Sequence, residues 1–163
     1  MRRDEQSTQK RGIVLGIEYR ELGPADAPLL LAAPPELFDN PIDPEQCDAF
    51  LADGRHHIIV ALDVGVPVGF ATANGYLHPD KPPQAWINEL STLEAHRNRG
   101  IGAELVRRML ALLRDRGYAE AWLATEHDNA PARAVYKRVL AERAAHAGAT
   151  EDEAVVVYVF PLG

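Results

Sequence analysis

Apolar and polar positions along this chain change their period from block to block, and each change marks an element. Residues 13–20 (Ile13, Val14, Leu15, Gly16, Ile17, Glu18, Tyr19, Arg20) are rich in β-branched and apolar side chains and run into Gly23-Pro24, which predicts a first strand ended by a turn. Residues 25–33 read as a short helix, stopped at Pro34-Pro35 because the residue before a proline is pushed out of the helical region. Asp43-Pro44 opens a second helix, with the carboxylate as N-cap and proline in the first turn, and Gly54 closes it; Phe50 and Leu51 supply its buried side. Residues 58–62 and 66–73, joined through Asp63-Val64-Gly65, predict a hairpin. Pro79, Pro82 and Pro83 make the next stretch an irregular loop, after which residues 86–93 resume as a strand. Over residues 101–116 the apolar positions Ile101, Leu105, Met109 and Leu112 recur at helical spacing, flanked by Val106, Leu110 and Leu113, until Gly117. Residues 121–125 are a short strand, Asn129 caps a helix with Pro131 in its first turn, and residues 154–160 form the last strand.

The order is therefore strand, two helices, hairpin, strand, helix, strand, helix, strand, without internal repeats, and the expected organisation is a polar leader over residues 1–12 followed by one α/β domain over residues 13–163. The 163 residues suffice for a core that needs no disulfide or metal staple. Cys47 stands alone, and the six histidines, His56-His57, His78, His96, His127 and His146, do not fall at ligand spacing; they read as loop or surface residues and no metal is expected. No apolar run approaches the roughly 18 residues of a membrane span, and the leader is polar, so a cytoplasmic protein with no membrane partner is expected. The net charge of −7 lacks the basic footprint of a nucleic-acid binder and suits a cationic ligand better.

Chemistry concentrates at the mouth of the amphipathic helix, in Arg97-Asn98-Arg99-Gly100-Ile101-Gly102-Ala103. Glycines where a loop becomes a helix let the backbone approach an anion, the first helical amides lack intrahelical acceptors, and the helix dipole favours negative charge. An isolated Gly-x-Gly flanked by solvated arginines is more often a plain turn, so the segment needs partners. It is no Walker loop, because Gly-Lys-Ser/Thr is missing, and no dinucleotide fingerprint, because Leu105 stands where the third glycine belongs.

The segment does resemble the Arg/Gln-x-x-Gly-x-Gly/Ala signature of the GNAT superfamily of N-acetyltransferases, with Arg97, Gly100 and Gly102 in the defining places. The element order is similar to that superfamily's, and Asn129 and Tyr136 fall where it carries Asn and Tyr in its last conserved helix. The resemblance implies a GNAT-like acyl-CoA N-acyltransferase fold, an α/β architecture with a mixed, mostly antiparallel central sheet flanked by helices. It implies acetyl-CoA as cofactor, with main-chain groups of Leu90, Ser91 and Thr92 on the pantetheine arm. The loop and helix start, Arg97, Asn98, Arg99, Gly100, Ile101, Gly102 and Ala103, would hold the pyrophosphate, Asn129 would touch the cofactor, and Tyr136 would lie by the thioester sulfur. Transfer to an amine needs a base and an acid. Glu89, just before Leu90, is the candidate base, since the position on the following strand where many of these enzymes carry an acid is Ala124; Tyr136 is the candidate acid and Thr92 main chain the oxyanion donor.

Leu37-Phe38-Asp39, the loop His78-Pro79-Asp80-Lys81-Pro82 and the acid before Leu90 look like the aminoglycoside 3-N-acetyltransferase group, which implies a polycationic antibiotic as acceptor and antibiotic resistance as the role. Asp39, His78, Asp80, Glu89 and Glu126 are then the acceptor-binding residues. Leu140 stands where a glycine is usual, and it bears on the turn after the last helix. Two other readings remain open: a protein or peptide N-acetyltransferase, and a non-catalytic CoA-binding sensor. The apolar final strand makes a homodimer the expected assembly.

Overall fold

In the computed structural model, which describes residues 12–14, 16–143 and 147–163, eight strands form one sheet in the order β1-β2-β3-β4-β5-β6-β8-β7. They are β1 (Gly12–Val14), β2 (Ile17–Glu21), β3 (His56–Asp63), β4 (Val66–Tyr76), β5 (Gln84–Thr92), β6 (Glu120–Glu126), β7 (Gly148–Glu151) and β8 (Val155–Pro161). Four helices join them: α1 (Ala27–Leu31), α2 (Pro44–Ala52), α3 (Ile101–Asp115) and α4 (Ala130–Ala141). Every neighbouring pair is antiparallel except β5 and β6, which run parallel because α3 carries the chain back across the sheet.

The expected single strand over residues 13–20 is two, since the chain turns at Gly16 and Ile17 pairs back on Val14. The expected final strand gains a partner, β7, a short segment whose Gly-Ala-Thr-Glu composition shows no alternation to read. β8 consequently lies between β6 and β7, so the apolar strand on which the homodimer expectation rested is an interior strand and not an edge. Residues 1–11 of the expected leader, Leu15 and His146 lie outside the described residues.

Two helix starts have a side-chain cause. The Asp43 carboxylate accepts the amide of Gln46 at 3.0 Å and starts α2, whose buried face is Cys47 and Leu51 with Phe50 half-buried beside them. Asn129 accepts the amide of Ala132 at 3.2 Å and starts α4, which runs through Leu140 to Ala141 without the usual glycine. α3 buries Ile101, Ala103, Leu105, Val106, Met109, Leu110 and Leu113 against one sheet face, where Leu123, Tyr158 and Phe160 complete the larger core. Each fully buried large side chain there contributes about 1.5–3 kcal/mol. α1 and α2 cover only part of the other face, over Ile58, Val60, Leu62 and Phe70. Among the described residues the rest of that outer face is left without a helix.

One histidine departs from the surface expectation. His57 is 3% exposed, with Nε2 3.2 Å from the Tyr118 hydroxyl. Tyr118 in turn lies over Gly75, where a Cβ would clash with its ring and hydroxyl. Burial first, then the positive charges of Arg116 and His56, push the His57 pKa down to about 4. In the unfolded chain the ring titrates near 6.5, so between about pH 6.5 and 4 the unfolded state binds the extra proton and stability falls as pH falls. Replacing His57 by Phe is expected to flatten that acid limb by on the order of 2 kcal/mol in chemical unfolding at pH 4.5 against pH 7; parallel curves for the two proteins would contradict the assignment.

Candidate active site

β5 and β6 pair over four residues, from Gln84 opposite Glu120 to Ile87 opposite Leu123, and then part. Beyond that point β5 pairs only with β4 among the described residues, so the edge of Leu90, Ser91 and Thr92 that faces β6 has no strand partner. Two cavities fill the gap. The larger, about 870 Å³, runs along Leu90, Ser91 and Thr92 to the start of α3 and the flank of α4. A second, of about 460 Å³, opens on the outer face between Leu37, Asp39 and Phe70 on one side and Ala124, Glu126 and Val155 on the other. Leu90, Ser91, Asn129, Ala132 and Tyr136 line both, so the two meet at these five residues.

The start of α3 is built to receive an anion. α2 and α4 are capped by side chains, but α3 begins at Gly100 with no side chain accepting its first amides. Asn98 and Gly100 are left-handed, at φ 59° and 79°, residue types that tolerate this conformation well, and they turn the loop so that Asn98, Gly100, Ile101, Gly102 and Ala103 line the larger cavity. Gly102 is not kept small by internal crowding, since a Cβ there would stand 3.7 Å from Leu90 and Val135 side-chain atoms, ordinary contact. Arg97 lines the cavity and its Nε donates to the Thr92 carbonyl at 3.3 Å, and Arg99 lies 3.9 Å from Asp63. Free strand edge, uncapped helix start and adjacent arginines fit an elongated ligand carrying amides at one end and phosphates at the other.

A register shift aims the candidate base. Thr72 of β4 is opposite Glu89 and Ala73 is opposite Ile87, which leaves Asn88 as an extra residue on β5. Without that bulge, alternation would turn Glu89 to the α3 side with Ile87. With it, Asn88 and Glu89 both line the smaller cavity, and Glu89 accepts a 3.0 Å hydrogen bond from the Thr72 hydroxyl. Glu89 is exposed there. Thr72 was hidden in an apolar strand, although a lone hydroxyl between Ala71 and Ala73 is a signal, as are two consecutive polar residues, Asn88-Glu89, in β5.

Tyr136 is 8% exposed and packs edge to face on Tyr158, ring centroids 5.4 Å apart. Burial, then Tyr158 and the charge of Glu126, raise its pKa to about 12, which keeps the phenol protonated at neutral pH. Asp39 and Glu126 line the smaller cavity with Glu89. His78 and Asp80 stand in the loop after β4 and line neither cavity. Thr92 lines the larger cavity but not the meeting point, where β5 is represented by Leu90 and Ser91. Among the described residues no group of three His, Cys, Asp or Glu side chains is arranged to hold a metal ion.

The profile of the acetyltransferase (GNAT) family matches residues 27–141, which span α1 through α4 and so the whole of both cavities apart from Val155. The chain belongs to this family. It is 31% identical over 129 residues to the streptothricin acetyltransferase of Streptomyces lavendulae, a match covering 76% of this chain and 62% of that protein, so it spans about three-fifths of that relative's length. In structure it is similar to an aminoglycoside acetyltransferase from an uncultured soil metagenomic sample, solved with sisomicin, at TM-score 0.69 and 18% identity over 84% of this chain and 95% of that one. Arabidopsis thaliana NAA60, solved with acetyl-CoA, superposes at TM-score 0.70 and 17% identity over 90% of this chain and 98% of that one.

Because a Cβ at Gly102 is accommodated by the protein itself, Gly102→Ala is expected to leave the melting temperature unchanged or slightly raised while weakening CoA binding about tenfold. Calorimetric titration with CoA checks this, and undiminished affinity would remove the helix start from the cofactor site.

Proposed function

We propose that the protein transfers the acetyl group of acetyl-CoA to a primary amine of a small polycationic acceptor, of the aminoglycoside or streptothricin kind, by direct attack in a ternary complex. One observation carries the acceptor class. Asp39, Glu89 and Glu126 surround the smaller cavity, none has a cationic partner among the described residues, and no lysine or arginine lines its walls. Uncompensated carboxylates around a cleft favour ammonium groups and reject anions. The streptothricin and aminoglycoside acetyltransferases among the relatives support the same reading.

When bound, acetyl-CoA supplies an electrophilic thioester carbonyl and a thiolate leaving group. The protein's part begins with Leu90, Ser91 and Thr92, whose free strand edge orients the donor along β5. Glu89, fixed by Thr72, takes the proton that the acceptor ammonium must lose before it can attack, directly or through water. Main chain at Leu90 and Ser91, which line both cavities, would donate to the thioester carbonyl oxygen as it gains charge. Tyr136 lines both cavities and, with its pKa near 12, holds a proton to give to the departing sulfur.

Tyr136→Phe is expected to lower kcat about a hundredfold with the KM for acetyl-CoA within about threefold of the parent, measured by thiol release with kanamycin, spermine and peptide amines as acceptors. Unchanged kcat would remove Tyr136 as the acid, and turnover on peptides alone would replace the polycation with a peptide α-amine. Glu89→Gln is expected to lower kcat/KM about tenfold to a hundredfold and to flatten the rise of activity with pH. A parental rate with the rise intact would assign the base elsewhere.

A further inference from the structure

The floor of the acceptor cleft continues past its lining residues. Asn88 and Ala124 line it from β5 and β6. Two residues back along each strand, on the same face because side chains alternate, stand Trp86 and Trp122. They are opposite one another in the parallel register, with ring centroids 6.3 Å apart and planes tilted by 53°. Trp122 is 36% exposed, and the helices that pack on this part of the sheet, α3 and α4, lie on its other face. Glu120, a further two residues back, accepts hydrogen bonds from Gln84 Nε2 at 3.1 Å and from the Trp122 indole. Both donors are neutral, so they hold the carboxylate in place without cancelling its charge. None of the outward positions of β5, β6 or β8 is a lysine or an arginine.

Two partly exposed indoles beside an anchored, uncompensated carboxylate form a cation site, since the face of tryptophan attracts ammonium groups and the carboxylate adds to the same field. Continuity with the cleft decides what kind of cation it takes. At about 3.3 Å per strand residue, the tryptophans lie roughly 7 Å from Asn88 and roughly 10 Å from Glu89. We propose that Trp86, Trp122 and Glu120 form a second cation subsite of the acceptor, holding an ammonium group or ammonium-bearing ring about 7–10 Å from the amine acetylated at Glu89. The inference rests on the polycation reading of the cleft and narrows it: the acceptor is elongated, and a compact monoamine fills only the cleft.

The chain contains two tryptophans, Trp86 and Trp122, so its tryptophan emission, excited selectively over the tyrosines, comes from this subsite alone. Titration with kanamycin or spermine is expected to change the emission saturably, and glucosamine, with one ammonium group, is expected to leave it unchanged. In thiol-release assays Trp122→Ala and Glu120→Gln should each raise KM for the extended polycation about 3-fold to 10-fold, while KM for acetyl-CoA and turnover of glucosamine stay at the parental value. Saturable emission without turnover of any amine would keep the subsite and overturn the proposed function. Normal turnover of kanamycin or spermine with unchanged emission and unchanged KM in both variants would overturn the subsite and keep the function. Emission that shifts on dilution of the protein and with neither polycation would assign this face to a second copy and likewise overturn the subsite.

Discussion

The parting of two parallel strands is the constraint on which the rest of this molecule depends. β5 and β6 share four residue pairs and no more, and most of the candidate functional groups, though not His78, Asp80 or Arg99, line the two cavities at the opening that follows. A sheet normally satisfies its main-chain groups by pairing, and an opening left inside it costs free energy unless something else takes the place of the missing strand. Here the unpaired edge of Leu90, Ser91 and Thr92, the uncapped start of α3 and the flank of α4 bound one channel. The strand edge presents what an amide-bearing arm needs and the helix start what a pyrophosphate needs, which is what the proposed acetyl-CoA site asks of this topology.

Two smaller irregularities convert that opening into a place for transfer. The extra residue at Asn88 turns Glu89 to the outer face, so that the proposed base and the proposed donor edge come from consecutive positions of one strand. On the opposite wall, Asn129 caps α4 and fixes the turn of helix that places Tyr136 at the meeting of the two cavities, buried against Tyr158. The outer face stays partly open because α1 and α2 cover only its β3 and β4 side. Acidic side chains and tryptophans occupy the remainder, where a fold concerned with stability alone would place a covering helix or scattered polar residues.

Much of this was legible in the chain, for physical reasons that also explain the gaps. α3 announced itself through Ile101, Leu105 and Met109, because a helix with one buried stripe must repeat its apolar residues. Asp43 and Asn129 marked helix starts because the cap is a local, side-chain-to-backbone interaction. Arg97, Gly100 and Gly102 marked the proposed donor loop for the same reason: its residues are adjacent in the chain. What depended on distant pairing was not readable. β7 is a strand only because β8 lies beside it, His57 is buried only because Tyr118 folds over it, and the direction of Glu89 is set by a register shift against Thr72. His78 and Asp80 were read into the acceptor site from a local pattern, and the loop that carries them lines neither cavity.

The central claim is that the opening between β5 and β6 holds acetyl-CoA and that nothing else in the chain does. Amide hydrogen exchange with and without saturating CoA tests it directly. Protection is expected to rise in two separated segments, residues 90–92 on the strand edge and residues 98–103 at the start of α3, with little change in β1, β2 or α2. Protection confined to another part of the sheet, or spread evenly over the chain, would contradict the claim.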